Sequence, residues 1–149
     1  MRNRTVAVFV GALLLAASAS AQPPLLLDPA QAPITLKGGW ERKGATSGHK
    51  VTHGDIAVKI SKINADGTFE GRLDFFTASA TPWCRAVDEP IKEGRITAKG
   101  LTVVANGGPP TVCGLMTLEF KRGTDKYLQG RFKSEAAGAG VPIWLDAPK

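Results

Sequence analysis

The residues whose types and spacing come closest to a chemical site are His49, His53 and Asp55, an H-x3-H-x-D pattern. Imidazole and carboxylate groups hold transition metals when several of them converge. Positions 49, 51 and 53 of an extended chain share one face, so the two histidines can approach each other. No HExxH pattern or nearby cysteine accompanies them. We interpret them as surface histidines and keep a small metal-dependent enzyme as the alternative.

Other enzyme signatures give no support for catalysis. A G-x-S-x-G nucleophile motif is missing. The glycine pair at 107–108 precedes Pro109 and Pro110, which lack the amide donors of a phosphate loop. Asp88 and Glu89 form an adjacent acidic pair, but neighbouring side chains on an extended chain point apart. The sequence therefore predicts a protein that is not an enzyme and needs no cofactor.

Three tryptophans and one phenylalanine are the candidate binding residues. Trp83 lies in a stretch without strand periodicity, and loop aromatics often anchor partners. Trp40 and Trp144 lie in predicted strands, where core packing is the first expectation. With Phe76, these four residues are the predicted contacts for a ligand or partner.

The two cysteines, Cys84 and Cys113, predict a disulfide. Disulfides form in exported chains, and an even number of cysteines in such a chain indicates that they are paired. The alternative, a catalytic thiol, needs a base beside it. Neither histidine is close in sequence.

The elements that must position these residues are β-strands. Apolar residues alternate with polar ones in several runs, which is typical of a sheet with one buried and one solvated face. We predict about eight strands, near 34–42, 54–63, 68–77, 92–99, 101–106, 112–121, 126–134 and 140–146. Short strands joined by glycine-rich turns predict an all-β antiparallel meander that forms a small barrel, with a β-sandwich as the alternative.

Two segments lie outside this pattern. Residues 77–91 contain two prolines and are predicted to be the longest connection, pinned by the disulfide. Residues 22–33 contain four prolines and are predicted to be a flexible lead-in to a single domain over 34–149. In the alternative, the leucines at 25–27 fold back onto the domain.

The beginning of the chain resembles a secretory signal. Of the 149 residues, the first 21 contain two arginines, an apolar run and a small-residue cleavage site. Their removal leaves 128 residues with a net charge of +4. We expect a periplasmic or secreted protein with no membrane span, because the apolar run is shorter than the ~20 residues that cross a bilayer.

The remaining charge does not favour nucleic acid as a partner. Basic residues cluster in the predicted sixth and seventh strands, and a single tyrosine lies among them. A binding platform for nucleic acid needs a basic stripe with several stacking aromatics. We interpret these residues, Lys121, Arg122, Lys126, Arg131 and Lys133, as a solvated outer face of the sheet.

Three short motifs resemble the calycin group, which contains avidin-like and lipocalin-like barrels. Residues 36–40 (LKGGW) are similar to the L-x-G-x-W opening of that group. Residues 67–71 (GTFEG) resemble the G-x-F-x-G hairpin of avidins. Residues 143–145 (IWL) loosely resemble a late strand of the same family that contains Trp-Leu. The resemblance implies a barrel. It also implies that Arg131 packs over Trp40, as a late arginine does in lipocalins.

The same resemblance does not extend to the ligand. Arg42 stands where avidins carry a ligand-binding asparagine. In avidins this hairpin is followed by a ligand-binding tyrosine, whereas Arg72 and Leu73 follow it in this chain. The motifs therefore imply the architecture and not biotin binding.

Together, these features predict an exported, non-enzymatic binding protein. Its partner is either a small apolar or amphipathic ligand in the barrel mouth or a protein held by the loops. A ligand barrel needs an apolar cavity of about 300 Å³ or more. If large side chains fill the interior, a small ligand is excluded and binding of a protein partner remains. The residues that could fill the interior are Phe69, Phe75, Met116, Phe120 and Phe132. An envelope structural or assembly role and an inhibitor role are the alternatives.

Overall fold

Eight antiparallel strands close into a barrel in the computed structural model, which describes residues 23–42, 52–76, 84–136 and 140–149. The prediction of an all-β meander is confirmed. Strands follow one another around the barrel in chain order. They are β1 Ile34–Arg42, β2 Thr52–Ile63, β3 Phe69–Phe75, β4 Ala86–Ile96, β5 Gly100–Asn106, β6 Leu115–Arg122, β7 Leu128–Ser134 and β8 Val141–Leu145.

The last strand closes the wall by pairing with the first. Gly38 lies opposite Leu145, and Trp40 lies opposite Ile143. Because every strand has two neighbours, the sheet has no free edge, and the sandwich alternative is wrong. The barrel architecture implied by the calycin resemblance is therefore present.

Alternation along the strands fills the interior. In β2, Ile56, Val58 and Ile60 point inward and are buried. At the centre, the rings of Trp40 and Phe75 stack with centroids 5.7 Å apart and an interplanar angle of 2°. Phe132 packs against the other side of Phe75 at 4.9 Å. The prediction that Trp40 belongs to the core is confirmed.

Residues before β1 close one end of the barrel. Leu27 is only 1% exposed, and Leu26 is also buried. The amide of Leu26 donates to the carbonyl of Thr97 at 2.9 Å, and a short 3-10 turn, Pro29–Gln31, leads into β1. The flexible lead-in is therefore wrong for these residues, and the alternative in which the leucines fold back is correct. Their apolar area stabilises the end of the core despite the neighbouring prolines.

The strand β4 begins earlier than expected. Residues 86–91 were predicted to belong to a loop, because Asp88 and Pro90 favour turns. In the structure a β-bulge accommodates them: Asp88 has a φ of +48°, and the register shifts between Leu73 and Phe75 of β3. Bulges allow proline and left-handed residues inside a sheet. The connection from β3 to β4 is correspondingly shorter.

Candidate functional site

The predicted disulfide is present and lies at the end of the barrel opposite the leucines. Cys84 and Cys113 are joined with a Cα–Cα distance of 5.1 Å, and both are fully buried. The bond links the connection after β3 to the connection before β6. Beside it, the amide of Arg85 donates to the carbonyl of Gly107 at 3.0 Å. Two connections that are distant in sequence are thus held together.

Two valines beside the cystine are exposed. Val87 is 56% exposed and Val112 is 39% exposed, and no other large hydrophobic residue in the described ranges is classed as exposed. Val112 directly precedes Cys113, and Val87 follows Cys84 by three residues. The covalent path through the cystine limits their Cα atoms to about 20 Å apart.

Phe76 and Arg85 complete this surface. Phe76 is half-buried, and the Arg85 guanidinium carbon lies 6.0 Å from its ring centroid, a cation–π arrangement. Phe76, Arg85, Val87 and Val112 all lie near the cystine, and we call this part of the barrel the disulfide end. Of the predicted binding residues, Phe76 lies here. Trp83 directly precedes Cys84 in sequence but lies outside the described residues.

Trp40 supports the disulfide end from inside the barrel and is not exposed to solvent. The indole nitrogen Nε1 of Trp40 donates to the carbonyl of Phe76 at 2.8 Å. The amide of Phe76 donates to the carbonyl of Asp55 at 2.9 Å. Trp40 has no exposed surface, and its indole holds the backbone of Phe76 from inside the barrel.

The barrel interior is filled in the described part of the chain. A cavity wide enough for water would expose the side chains that line it, yet the inward residues of every strand have almost no exposed surface. The five side chains expected to decide this question are all buried: Phe69, Phe75, Met116, Phe120 and Phe132. This packing gives no support to an apolar ligand inside the barrel.

The two candidate metal ligands that the structure describes, His53 and Asp55, are not part of a group that could hold a metal ion. His53 and Asp55 are exposed on the outer face of β2, with Glu41 of β1 opposite His53. Among the described residues, no group of three His, Cys, Asp or Glu side chains could hold a metal ion. His49 lies outside the described residues.

Trp144 lies on the outer wall, and the expectation that it packs in the core is wrong. Val141, Ile143 and Leu145 take the inward positions of β8, so Trp144 points outward and is half-buried. The Nζ atom of Lys126 lies 5.9 Å from its ring centroid.

Arg131 also lies on the outer wall. Its guanidinium donates to the carbonyl of Gly140 at 3.2 Å, and the side chain is exposed, whereas Trp40 is buried inside the barrel. The arrangement implied by the lipocalin resemblance, with this arginine over the opening tryptophan, is therefore wrong.

An ion network stabilises the bulge in β4. Lys59 Nζ lies 2.7 Å from Asp74 Oδ2 and 3.2 Å from Asp88 Oδ1, and Arg72 donates to the carbonyl of Asp88 at 2.7 Å. The Asp74 carboxylate also accepts the Asp88 amide at 2.7 Å. The strained Asp88 backbone is therefore held by side chains from β2 and from β3. No sequence signal indicates this network, because its members are up to 29 residues apart.

The network shifts the pKa values of two of its members. Burial raises the pKa of the Asp74 carboxyl, but the hydrogen bonds from Lys59 and the Asp88 amide, with the Lys59 charge, outweigh burial and hold it below its usual range. The hydrogen bond from Lys59 to Asp74 and, to a smaller extent, the one to Asp88 raise the pKa of Lys59.

We expect the Asp74→Asn variant to show the contribution of this carboxylate in its pH dependence. A lowered pKa in the folded state stabilises the protein above the unfolded pKa of about 3.9, and the stabilisation is lost as pH falls through the folded value. The wild type should therefore unfold at higher urea than the variant at pH 7, and the two midpoints should converge below about pH 4. A difference that is constant from pH 7 to pH 2 would contradict this role.

Sequence reasoning missed Arg85, Val87 and Val112. The signal that indicates them is their closeness in sequence to the cysteines, since a cystine holds its neighbours in place while leaving outward side chains exposed. In the described part of the chain, no helix is long and apolar enough to cross a membrane. Comparison of the chain with models of protein families, with curated proteins and with solved structures found no match.

Proposed function

We propose that this protein is an exported, non-enzymatic binding protein that recognises a protein partner through the disulfide end. The observation that carries the proposal is the exposure of two valines near the cystine, Val87 at the start of β4 and Val112 in the connection before β6. Exposed apolar side chains next to a cationic group are typical of contact surfaces between proteins. Arg85 supplies that cationic group, and Phe76 supplies an aromatic one.

Rigid mounting supports the proposal. Trp40 and Asp55 fix the backbone of Phe76, and the cystine and the Gly107 carbonyl fix that of Arg85. A backbone that is already held in this way loses little conformational entropy when a partner binds. The disulfide end is therefore preorganised for contact.

The filled interior favours a protein over a small ligand. Trp40, Phe75 and Phe132 pack against one another inside the barrel, in space that a small apolar ligand would need. A ligand there would require large core side chains to move, which costs several kcal/mol. Contact through the outer surface needs no such change.

Export is the second part of the proposal. The residues at 1–21 have the order of a secretory signal, and a buried disulfide suits an oxidising compartment. Mass spectrometry of the protein purified from its host should find Gln22 at the amino terminus. An intact residue 1 in the folded, oxidised protein would contradict export through this signal.

Site-specific photocrosslinking tests the binding surface. A photoreactive phenylalanine analogue replaces Val87 or Val112 in the full chain, which is expressed in its host and irradiated. We expect the same discrete heterologous adduct from both positions, identified by mass spectrometry. The matched control places the analogue at Lys121, which is exposed on the outer wall of β6.

The outcomes separate specific recognition from chance contact. An adduct from positions 87 and 112 that is missing from position 121, and that is lost in an Arg85→Glu chain, supports the proposal. Equal adducts from all three positions, or none from the two valines, would overturn it.

A further inference from the structure

A groove on the outer wall lies away from the cystine and has a different character. It follows β8 between β1 and the turn that precedes β7, and its volume is about 560 Å³. Trp144 forms its floor. The polar residues around it are Glu41, Asp125, Lys126 and Gln129.

The Trp144 indole lies across a glycine. Its Cζ2 and Cη2 atoms lie 2.9 and 3.3 Å from the position where a Cβ of Gly39 would stand. Gly39 is the cross-strand partner of Trp144, and any larger residue there would push the ring away from the sheet. The glycine therefore leaves room for the six-membered ring of the indole against the wall, and the half-buried Trp144 side chain lines the groove.

The groove walls carry both kinds of hydrogen-bonding group. Gln129, directly opposite Trp144 on β7, has an amide that donates and accepts. The carboxylates of Glu41 and Asp125 are acceptors. An aromatic floor with planar polar groups at its sides matches a ligand that has one apolar face and a rim of hydroxyl groups.

Lys126 lies over the Trp144 ring, with its Nζ 5.9 Å from the ring centroid. Its Nζ pairs with Asp146 at 3.4 Å, and both side chains are about half exposed. An exposed pair of this kind contributes about 0–1 kcal/mol, so a ligand can displace the lysine at low cost. Lys126 is then a further donor for a bound hydroxyl group.

From this geometry we propose that the Trp144 groove is a binding site for a short neutral oligosaccharide. The C–H groups of a pyranose ring carry partial positive charge and pack on the negative face of an indole. The hydroxyl groups at its rim meet Gln129, Glu41 and Asp125. A simple cation is a weaker match, because Lys126 already lies near the ring and charges of both signs surround it. This site is separate from the disulfide end and does not depend on the proposed function.

The test uses the oxidised full-length mature chain and three neutral tetrasaccharides, chitotetraose, cellotetraose and maltotetraose. Two-dimensional NMR follows the indole N–H signals, and the Trp144→Phe variant assigns the signal of Trp144. We expect at least one tetrasaccharide to shift the Trp144 signal in a saturable manner. The signal of Trp40 should not move, since its N–H is buried and bonded to Phe76.

Variants identify the contacts. By calorimetry, Trp144→Ala should weaken binding at least tenfold, which corresponds to about 1.4 kcal/mol. Trp144→Phe should keep part of the affinity, because the smaller ring still stacks. Gln129→Ala removes a half-buried amide on the outer wall and leaves the barrel interior unchanged, so it tests the site separately from the core. The matched control, Val87→Ser at the disulfide end, should bind like the wild type.

Three results would overturn the proposal. The first is that no tetrasaccharide shifts Trp144 at about 10 mM, which places any Kd beyond the range of weak binding. The second is that binding persists unchanged in Trp144→Ala. The third is that choline shifts Trp144 while the saccharides do not, which would assign the groove to a cation.

Discussion

The double variant Cys84→Ser/Cys113→Ser is expected to lose about 3–4 kcal/mol of stability. The disulfide closes a loop of 29 residues, and in the chain-entropy model a loop of this length gives a stabilisation of that size. Both sulfurs are buried, so two hydroxyl groups would also enter an apolar site. Urea unfolding of the variant and the oxidised wild type measures the difference.

The control for this experiment is Val112→Ser, which changes an exposed side chain next to the cystine. Its stability should stay within about 0.5 kcal/mol of the wild type. A loss below about 1 kcal/mol in the double cysteine variant would mean that the reduced unfolded chain is already compact in this region.

Substitution of the two described tryptophans should have very different effects. Trp40→Ala is expected to cost about 3–5 kcal/mol, because it leaves a cavity beside Phe75 and removes the donor to the Phe76 carbonyl. Trp40→Phe keeps the stacked ring but leaves that carbonyl without its donor, at about 1–3 kcal/mol. Trp144→Ala on the outer wall should cost only about 1 kcal/mol.

Equilibrium unfolding followed by circular dichroism provides the comparison. Because the two residues are the same type and lie in paired strands, Trp144→Ala is a matched control for Trp40→Ala. Equal losses would contradict the assignment of Trp40 to the interior and Trp144 to the exterior.

Much of the barrel could be predicted because its strands have simple patterns. Ile56, Val58 and Ile60 alternate with polar residues, and this period of two places them on one face of a sheet. The cystine followed from an even cysteine count in a chain with a signal-like beginning. Both inferences depend on local patterns, which a sequence displays directly.

The features that were missed depend on contacts between distant residues. Asp88 and Pro90 favour turns locally, but the network from Lys59, Arg72 and Asp74 holds them in a bulged strand. The prolines around Leu26 and Leu27 predict a flexible segment, yet both leucines are buried. Their burial depends on the shape of the barrel end, which the local sequence does not show. Tertiary contacts outweighed local propensity in both cases.

Prediction of the candidate site was limited in the same way. Aromatic residues were chosen by type, yet Trp40 is buried, Trp144 lies on the outer wall and Phe76 alone of the three lies at the disulfide end. Residue type alone gives no sign that the two valines are exposed, because valine is ordinarily a core residue. Only the barrel geometry shows which face of a strand meets solvent at its end.

Closure of the wall by β8 also determines when the protein can fold. The seam pairs Gly38–Trp40 with Ile143–Leu145, more than 100 residues later in the chain. Until the ribosome has released the final strand, β1 has no second neighbour and the hydrophobic interior cannot be sealed. Topologies that rely on such distant pairings fold in about milliseconds to seconds. A growing chain therefore cannot seal its interior before β8 has been made, which is compatible with the export proposed above.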